Sequence, residues 1–247
     1  MPDPRTNIIK HRLTEINRVI AVCSGKGGVG KSLISTTLAL SLAKQGCKVG
    51  LFDLDFTSPS THIILGAKNL QPKEEKGLIP PTASGLEFMS IVYFSGDNPA
   101  PMRGADVSNA LIELLAITQW GKLDFLVIDT PPGIGDVILD LLRLVKRLEF
   151  LIATTSSTLA FETVKKQVTL LCEQKAQFIG VLENMKQDKS KTIQQGTEKL
   201  GLKYLGEIPF DKKIEGAIGK PEDLLGTQMG KKIGQITKEV ILKSSGF

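Results

Sequence analysis

The run Gly25-Lys26-Gly27-Gly28-Val29-Gly30-Lys31-Ser32 constrains this chain more than any other feature. It follows the apolar segment Val19–Cys23 and opens a helix-period segment, Lys31–Gln45. Glycines let a backbone curl so that successive N–H groups point inward onto phosphate oxygens. The helix that follows adds the positive end of its dipole. A lysine and a hydroxyl closing the loop suit phosphate and Mg²⁺ respectively, so Lys31 is expected to reach the β- and γ-phosphates and Ser32 to ligate the metal. The candidate nucleotide contacts here are Gly25, Lys26, Gly27, Gly28, Val29, Gly30, Lys31, Ser32 and Leu33.

A strand–loop–helix unit of this kind belongs in a parallel sheet, and the rest of the chain alternates accordingly. Short apolar runs at Val19–Cys23, Val49–Asp53, Leu86–Ile91, Phe125–Asp129, Phe150–Thr154, Phe178–Leu182 and Tyr204–Ile208 read as strands. Helical periods at Lys31–Gln45, Ala105–Gln119, Ile138–Lys146, Leu159–Glu173 and Lys191–Leu200 lie between most of them. Near-continuous apolar strands separated by helices imply an α/β fold: one doubly wound, mostly parallel sheet with helices on both faces. Right-handed crossovers then place the ligand at the carboxyl ends of the strands. The 247 residues are expected to form a single domain, with residues 1–17 a helical extension that packs through Ile8, Ile9, Leu13 and Ile16. Leu86–Ile91 is reached without a clear helix, so its place in the sheet is open. Gly66–Gly85 and Ser95–Arg103 read as long loops.

Three further segments carry candidate chemistry. Phe52-Asp53-Leu54-Asp55 ends a strand on two carboxylates; Asp53 is a candidate metal ligand and Asp55 is expected to orient an attacking water. Leu126-Val127-Ile128-Asp129 has the form of a Walker B strand, with Asp129 holding Mg²⁺ through water or Ser32. Pro131-Pro132-Gly133 would form a rigid loop that senses the γ-phosphate. Asn184 is a candidate partner for a purine edge, and Pro209 and Asp211 are candidate base contacts after the last strand. Asn184-Met185-Lys186-Gln187-Asp188 misplaces the lysine and aspartate of a guanine site, so ATP is the expected nucleotide.

Composition narrows the partners. A formal charge of +5 admits nucleic acid or an anionic membrane, but no basic patch interleaved with aromatics appears. No apolar run approaches the ~20 residues a membrane span needs, and the polar start does not resemble a signal peptide. The expected location is cytoplasmic, with neither nucleic acid nor membrane as partner. Met229, Ile233, Ile236 and Val240 form a stripe compatible with a membrane surface but read as a core-packing helix. Cys23, Cys47 and Cys172 are odd in number and far apart, which argues against a disulfide framework. Cys23 is expected inside a strand, Cys47 in a turn and Cys172 in core packing. His62 alone makes a poor nickel site.

Together these segments resemble the Mrp branch of the MinD/ParA-class deviant P-loop ATPases. The resemblance runs through Ser24–Ser32, Asp53–Ser60, Trp120–Asp124, Ile128–Gly133, Val181–Met185 and Gly206–Asp211. It implies a slow ATP hydrolase that dimerises when ATP is bound, with Lys26 reaching in trans to the partner's nucleotide, and an accessory role in metal-centre assembly. Mrp carriers place a Cys-x-x-Cys pair shortly after the Asn-Met segment; here Lys186-Gln187-Asp188-Lys189-Ser190-Lys191 holds no cysteine. The chain also resembles the archaeal ATPase-type HypB proteins of nickel–iron hydrogenase maturation, through Ser32–Leu40, Leu78–Thr82 and Arg103–Ala105. That likeness implies nickel insertion beside a separate metal-chaperone or metalloenzyme client. Iron–sulfur cluster carriage is the alternative, and a DNA- or membrane-positioning ATPase or a slow nucleotide-dependent scaffold are further ones.

Overall fold

The computed structural model describes residues 3–67, 69–95 and 104–243. The strands are β1 (Ile16–Ser24), β2 (Val49–Asp53), β3 (Lys73–Glu74), β4 (Leu78–Ile79), β5 (Thr82–Ala83), β6 (Leu86–Ser90), β7 (Leu123–Asp129), β8 (Leu148–Thr155), β9 (Gln177–Lys186) and β10 (Tyr204–Pro209). The helices are α1 (Arg5–Thr14), α2 (Lys31–Lys44), α3 (Thr61–Leu65), α4 (Val92–Ser95), α5 (Ala105–Ile117), α6 (Asp136–Leu144), α7 (Thr158–Glu173), α8 (Thr192–Lys199), α9 (Lys213–Ala217), α10 (Pro221–Gly226) and α11 (Gln228–Ile236). A π-helical turn, Thr237–Leu242, continues α11.

Eight strands form one sheet in the order β10-β9-β8-β1-β7-β2-β6-β5. Its pairings are parallel except for β5, which runs antiparallel to β6. Leu86–Ser90 takes its place beside β2. The β10 margin is irregular, with register shifts between Tyr204 and Gly206 and between Glu207 and Pro209.

Alternation along β1 shows how one strand feeds two cores. Ala21 and Cys23 face the cluster that includes Leu111 of α5, Ile138 of α6 and Val164 of α7. Ile20 and Val22 face the cluster that includes Ile34 and Leu38 of α2 and Ile233 of α11. Successive side chains of a strand point to opposite faces, so a strand covered on both sides must be apolar throughout. This is the doubly wound arrangement expected from the sequence. Helix α1 buries Ile9 and packs on α5. Met229, Ile233 and Ile236 are buried where α11 lies on α2, so the apolar stripe faces the core.

One expectation needs adjustment. Cys172 is exposed and not packed in the core. On α7 the buried face runs through Val164, Gln167, Val168 and Leu171, which leaves the next residue pointing outward. The long loop expected over Ser95–Arg103 lies, from residue 96 onward, outside the described residues. Among the described residues, no helix is long and apolar enough to cross a membrane.

Candidate functional site

Three central strands end side by side. Val22 of β1 and Asp53 of β2 are both register partners of Asp129 of β7. The glycine loop leaves β1 at this edge, and the aspartates arrive there from the two neighbouring strands. The carboxyl ends of β1, β2 and β7 therefore meet around one cavity of about 450 Å³. Gly27, Gly28, Gly30, Lys31 and Ser32 line one side; Asp55, Thr57, Ser58, Ser60 and Ile63 line another, with Pro132 from the loop after β7.

The loop has the shape of a phosphate cradle. Gly30 holds φ +82°, left-handed, immediately before α2 begins at Lys31. A side chain there would be strained and would collide with the Asn184 amide 2.4 Å away. Gly25 is fixed by proximity: a Cβ on it would lie 2.4 Å from Thr163 Oγ1 and 2.8 Å from the Val164 backbone of α7.

Charge inside the site is concentrated on Asp129. Its Oδ1 accepts from Lys31 Nζ at 2.8 Å and from Ser35 Oγ at 3.0 Å. Its Oδ2 is buried and has no hydrogen-bond partner. Burial pushes the Asp129 carboxyl above the usual carboxylate range, and the Lys31 charge opposes that push. An orphaned buried carboxylate oxygen is expensive unless a ligand completes it. With the Ser32 hydroxyl close to the same carboxylate, that oxygen fits a hard divalent cation held through oxygen ligands.

Asp53 and Asp55 differ in their surroundings. Asp53 is fully buried; Oδ1 accepts from Asp55 N at 3.0 Å, and Oδ2 from Thr61 Oγ1 at 2.6 Å and Thr61 N at 3.2 Å. Burial, and next the Asp129 charge, push its carboxyl up to about 7. Asp55 holds the 57–58 turn through Oδ1, which accepts from Thr57 Oγ1 at 2.6 Å and from the Thr57 and Ser58 amides at 3.2 Å. Its Oδ2 lies 3.9 Å from Lys31 Nζ on the cavity wall.

The remaining candidates fall at other places. Lys26 is exposed. Asn184 is buried, and its amide donates to the Val29 carbonyl at 2.9 Å, bracing the loop from β9. Pro209 and Asp211 line a separate hollow of about 570 Å³ with Lys213, Gln228 and Lys232. Asp211 is engaged there by the Lys213 amide at 2.9 Å. Ser35 and Thr61 escaped the sequence reading. The signal for Ser35 was a hydroxyl one turn beyond Ser32 in an apolar helix; Thr61 closes the polar stretch that follows Asp55. Among the described residues, no group of three or more histidine, cysteine, aspartate or glutamate side chains is arranged to hold a metal ion.

A parallel sheet whose first strand runs through a glycine cradle into a helix, faced by a buried Walker B aspartate, defines the P-loop NTPase class. Within that class, residues 15–243 match the ParA family model described as the NUBPL iron-transfer P-loop NTPase. The chain belongs to that family. An iron–sulfur cluster carrier protein of Aquifex aeolicus is 37% identical, over 87% of this chain and 64% of its own length. Another of that name, from Methanocaldococcus jannaschii, is 34% identical over 96% of this chain and 89% of its own length. The chain thus spans less than two thirds of the Aquifex relative. Among solved structures, a nucleotide-binding protein from Archaeoglobus fulgidus in complex with ADP superposes with TM-score 0.77 at 30% identity, covering 90% of this chain and 93% of that one. The cell-division ATPase MinD of Pyrococcus furiosus shares the fold, with TM-score 0.70 at 19% identity. HypB proteins are not among these relatives.

Proposed function

We propose that this chain is a Mg²⁺-dependent ATPase that serves iron–sulfur cluster assembly as a nucleotide-switched partner of a client protein. The observation that carries the reading is Asp129, with one oxygen on Lys31 and Ser35 and the other buried and unsatisfied. The ADP in the Archaeoglobus protein and the names of the curated relatives support an adenine nucleotide and an iron–sulfur cargo. They favour iron–sulfur clusters over the nickel insertion expected from the HypB likeness.

In this reading the amides from Gly27 to Ser32 hold the phosphates, and Lys31 exchanges Asp129 for the β- and γ-phosphates. Ser32 and Asp129 hold Mg²⁺. When bound, the cation offsets the charge that builds on the transferred phosphoryl group. Asp53, both of whose oxygens are occupied, positions the 55–61 segment and leaves the ligand set. Asp55 orients the attacking water with the oxygen that faces the cavity. Lys26, exposed at the lip of the loop, acts in trans in an ATP-bound homodimer. Adenine is read without Asn184, whose amide is committed to Val29.

The cluster is cargo, and its thiolate ligands come from the client. Cys23 is buried in β1 with its thiol pushed up to about 12 by burial. Cys47, in the connection from α2 to β2, and Cys172, on α7, are single thiols on separate segments. Calorimetry with Mg-ATP, phosphate release against protein concentration, and anaerobic reconstitution with iron and sulfide test these points together. Absence of Mg-ATP binding would refute the ATPase, and a stoichiometric cluster on the isolated protein would refute client-held ligands.

A further inference from the structure

Helix α7 touches two loops that border the nucleotide cavity, the glycine loop at Gly25 and the loop after β7 at Gly133. Its buried residues are Ala160, Phe161, Val164, Gln167, Val168 and Leu171, and Gln167 is the polar one among them. Gln167 is 0% exposed. Its Nε2 donates to the Gly133 carbonyl at 3.4 Å, while its Oε1 is buried without a hydrogen-bond partner. An amide oxygen left unsatisfied in a core is destabilising, and an apolar side chain of similar shape would avoid that cost. Packing alone therefore gives no reason for a glutamine at this position.

Gly133 is a junction. Its carbonyl accepts from Gln167, and its amide donates to the Ser24 carbonyl at 2.8 Å. Its φ of +81° is the left-handed conformation that glycine adopts without strain. Ser24 ends β1, and its Oγ donates to the Lys26 carbonyl at 3.0 Å. Pro132, just before the junction, lines the nucleotide cavity. Thr163 and Val164, against which Gly25 is seated, lie one turn before Gln167 on α7. One buried side chain thus ties the loop after the Walker B strand to the helix that supports the glycine loop.

The same loop holds the complementary groups. Among the described residues, the amides of Ile134 and Gly135 donate to no other group of the protein. They are donors without an acceptor, next in sequence to the carbonyl that Gln167 already engages. Gln167 Oε1 is an acceptor without a donor. A modest change in the path of the loop would let one satisfy the other. Gln167 does not itself line the cavity, so phosphate can reach it only through the loop.

We propose that Gln167 is a positioning residue for ATP hydrolysis: it holds the 131–135 loop in its nucleotide-free shape through Gly133, and its spare Oε1 captures the Ile134 or Gly135 amide when the γ-phosphate reshapes that loop. The proposal rests on the ATPase reading above and adds to it a residue that acts after binding. Such a residue affects kcat and leaves nucleotide affinity alone.

Gln167→Met keeps the length of the side chain and removes both hydrogen-bonding groups. In steady-state phosphate release it should lower kcat about tenfold, the effect of one hydrogen bond lost. KM for Mg-ATP and the affinity for Mg-ADP should stay at wild type, and the melting temperature should equal or exceed it. Amide hydrogen exchange on the wild-type protein supplies the second measurement. Mg²⁺ with a non-hydrolysable ATP analogue should slow exchange at Ile134 or Gly135 about tenfold, Mg-ADP should not, and the variant should lose the difference. Wild-type kcat in the variant would overturn the proposal. So would a lower kcat accompanied by a lower melting temperature and unchanged exchange, which returns Gln167 to core packing. Equal exchange in the two nucleotide states of the wild-type protein would overturn the capture step, whether or not the variant folds. A wild-type protein that binds Mg-ATP analogue and shows the protection but releases no phosphate would uphold the loop capture and sink the hydrolase reading; one that binds no nucleotide would sink both.

Discussion

Lys31 Nζ lies 2.8 Å from Asp129 Oδ1, joining the closing lysine of the glycine loop to the last residue of β7. Without nucleotide these two groups compensate each other, and both must change partner when phosphate and metal arrive. The ion pair is buried, with side chains 6% and 0% exposed, so removing one member leaves an uncompensated charge.

Lys31→Ala should therefore do two separable things. It should abolish Mg-ATP binding in calorimetry, and it should destabilise the nucleotide-free protein by about 3–5 kcal/mol, the usual cost of breaking a buried pair from one side. Chemical denaturation of the nucleotide-free protein reads the second effect. Intact binding in the variant would remove Lys31 from the phosphate site.

Asp53 gives the pH dependence. Its carboxyl is pushed up to about 7 in the folded protein, against about 3.9 for an unfolded aspartate. Between those values the folded state holds the extra proton, so stability falls as pH rises and levels off above the folded value. The denaturation midpoint of the nucleotide-free protein should decline from about pH 5 to about pH 7.5. Asp53→Asn should flatten that decline. A midpoint that climbs through this window would contradict the assignment.

Gly25→Ala tests the seat of the loop on α7. The new methyl would meet Thr163 Oγ1 at 2.4 Å and the Val164 backbone at 2.8 Å. Overpacking of this kind costs about 1–3 kcal/mol and shifts backbone, here in the phosphate cradle itself. A lower melting temperature with weakened ATP affinity is expected; Gly28→Ala, with open space around its Cβ position but φ +78°, should show strain without a clash.

Lys26→Ala bears on the dimer. The side chain is exposed, so folding and Mg-ATP affinity should hold. Turnover should drop by roughly 10³–10⁵ if the residue completes the partner's site as a trans-acting finger does. Steady-state phosphate release from mixtures of Lys26→Ala and Lys31→Ala subunits checks this, because each variant supplies what the other lacks. Mixtures no faster than either variant alone would place Lys26 outside the mechanism.

Much of this could be read before any coordinates. The expected run Val49–Asp53 is β2, and Lys31–Gln45 is α2 but for its last residue. Buried parallel strands carry unbroken apolar runs, and the glycine loop dates the start of its helix to the residue. What resisted reading was three-dimensional. Nothing local reveals that Asn184 reaches back to Val29 or that Asp53 is saturated by Thr61, because those bonds join distant or irregular segments. Cys172 beside Leu170 and Leu171 reads as apolar, yet one residue is 100° of helix, enough to turn it outward. Pro209 ends the last strand and Asp211 follows it, and only the strand order reveals that this strand is at a margin, with β9 and β8 between it and β1.

That margin has a consequence of its own. A bare strand edge invites addition of a further strand from another molecule. Here β10 breaks step with β9 twice and finishes on Pro209, which lacks an amide hydrogen, and the opposite rim is β5, two residues long. Neither rim offers a flat ladder to copy. Both sides of the folded sheet therefore disfavour growth from molecule to molecule by strand addition.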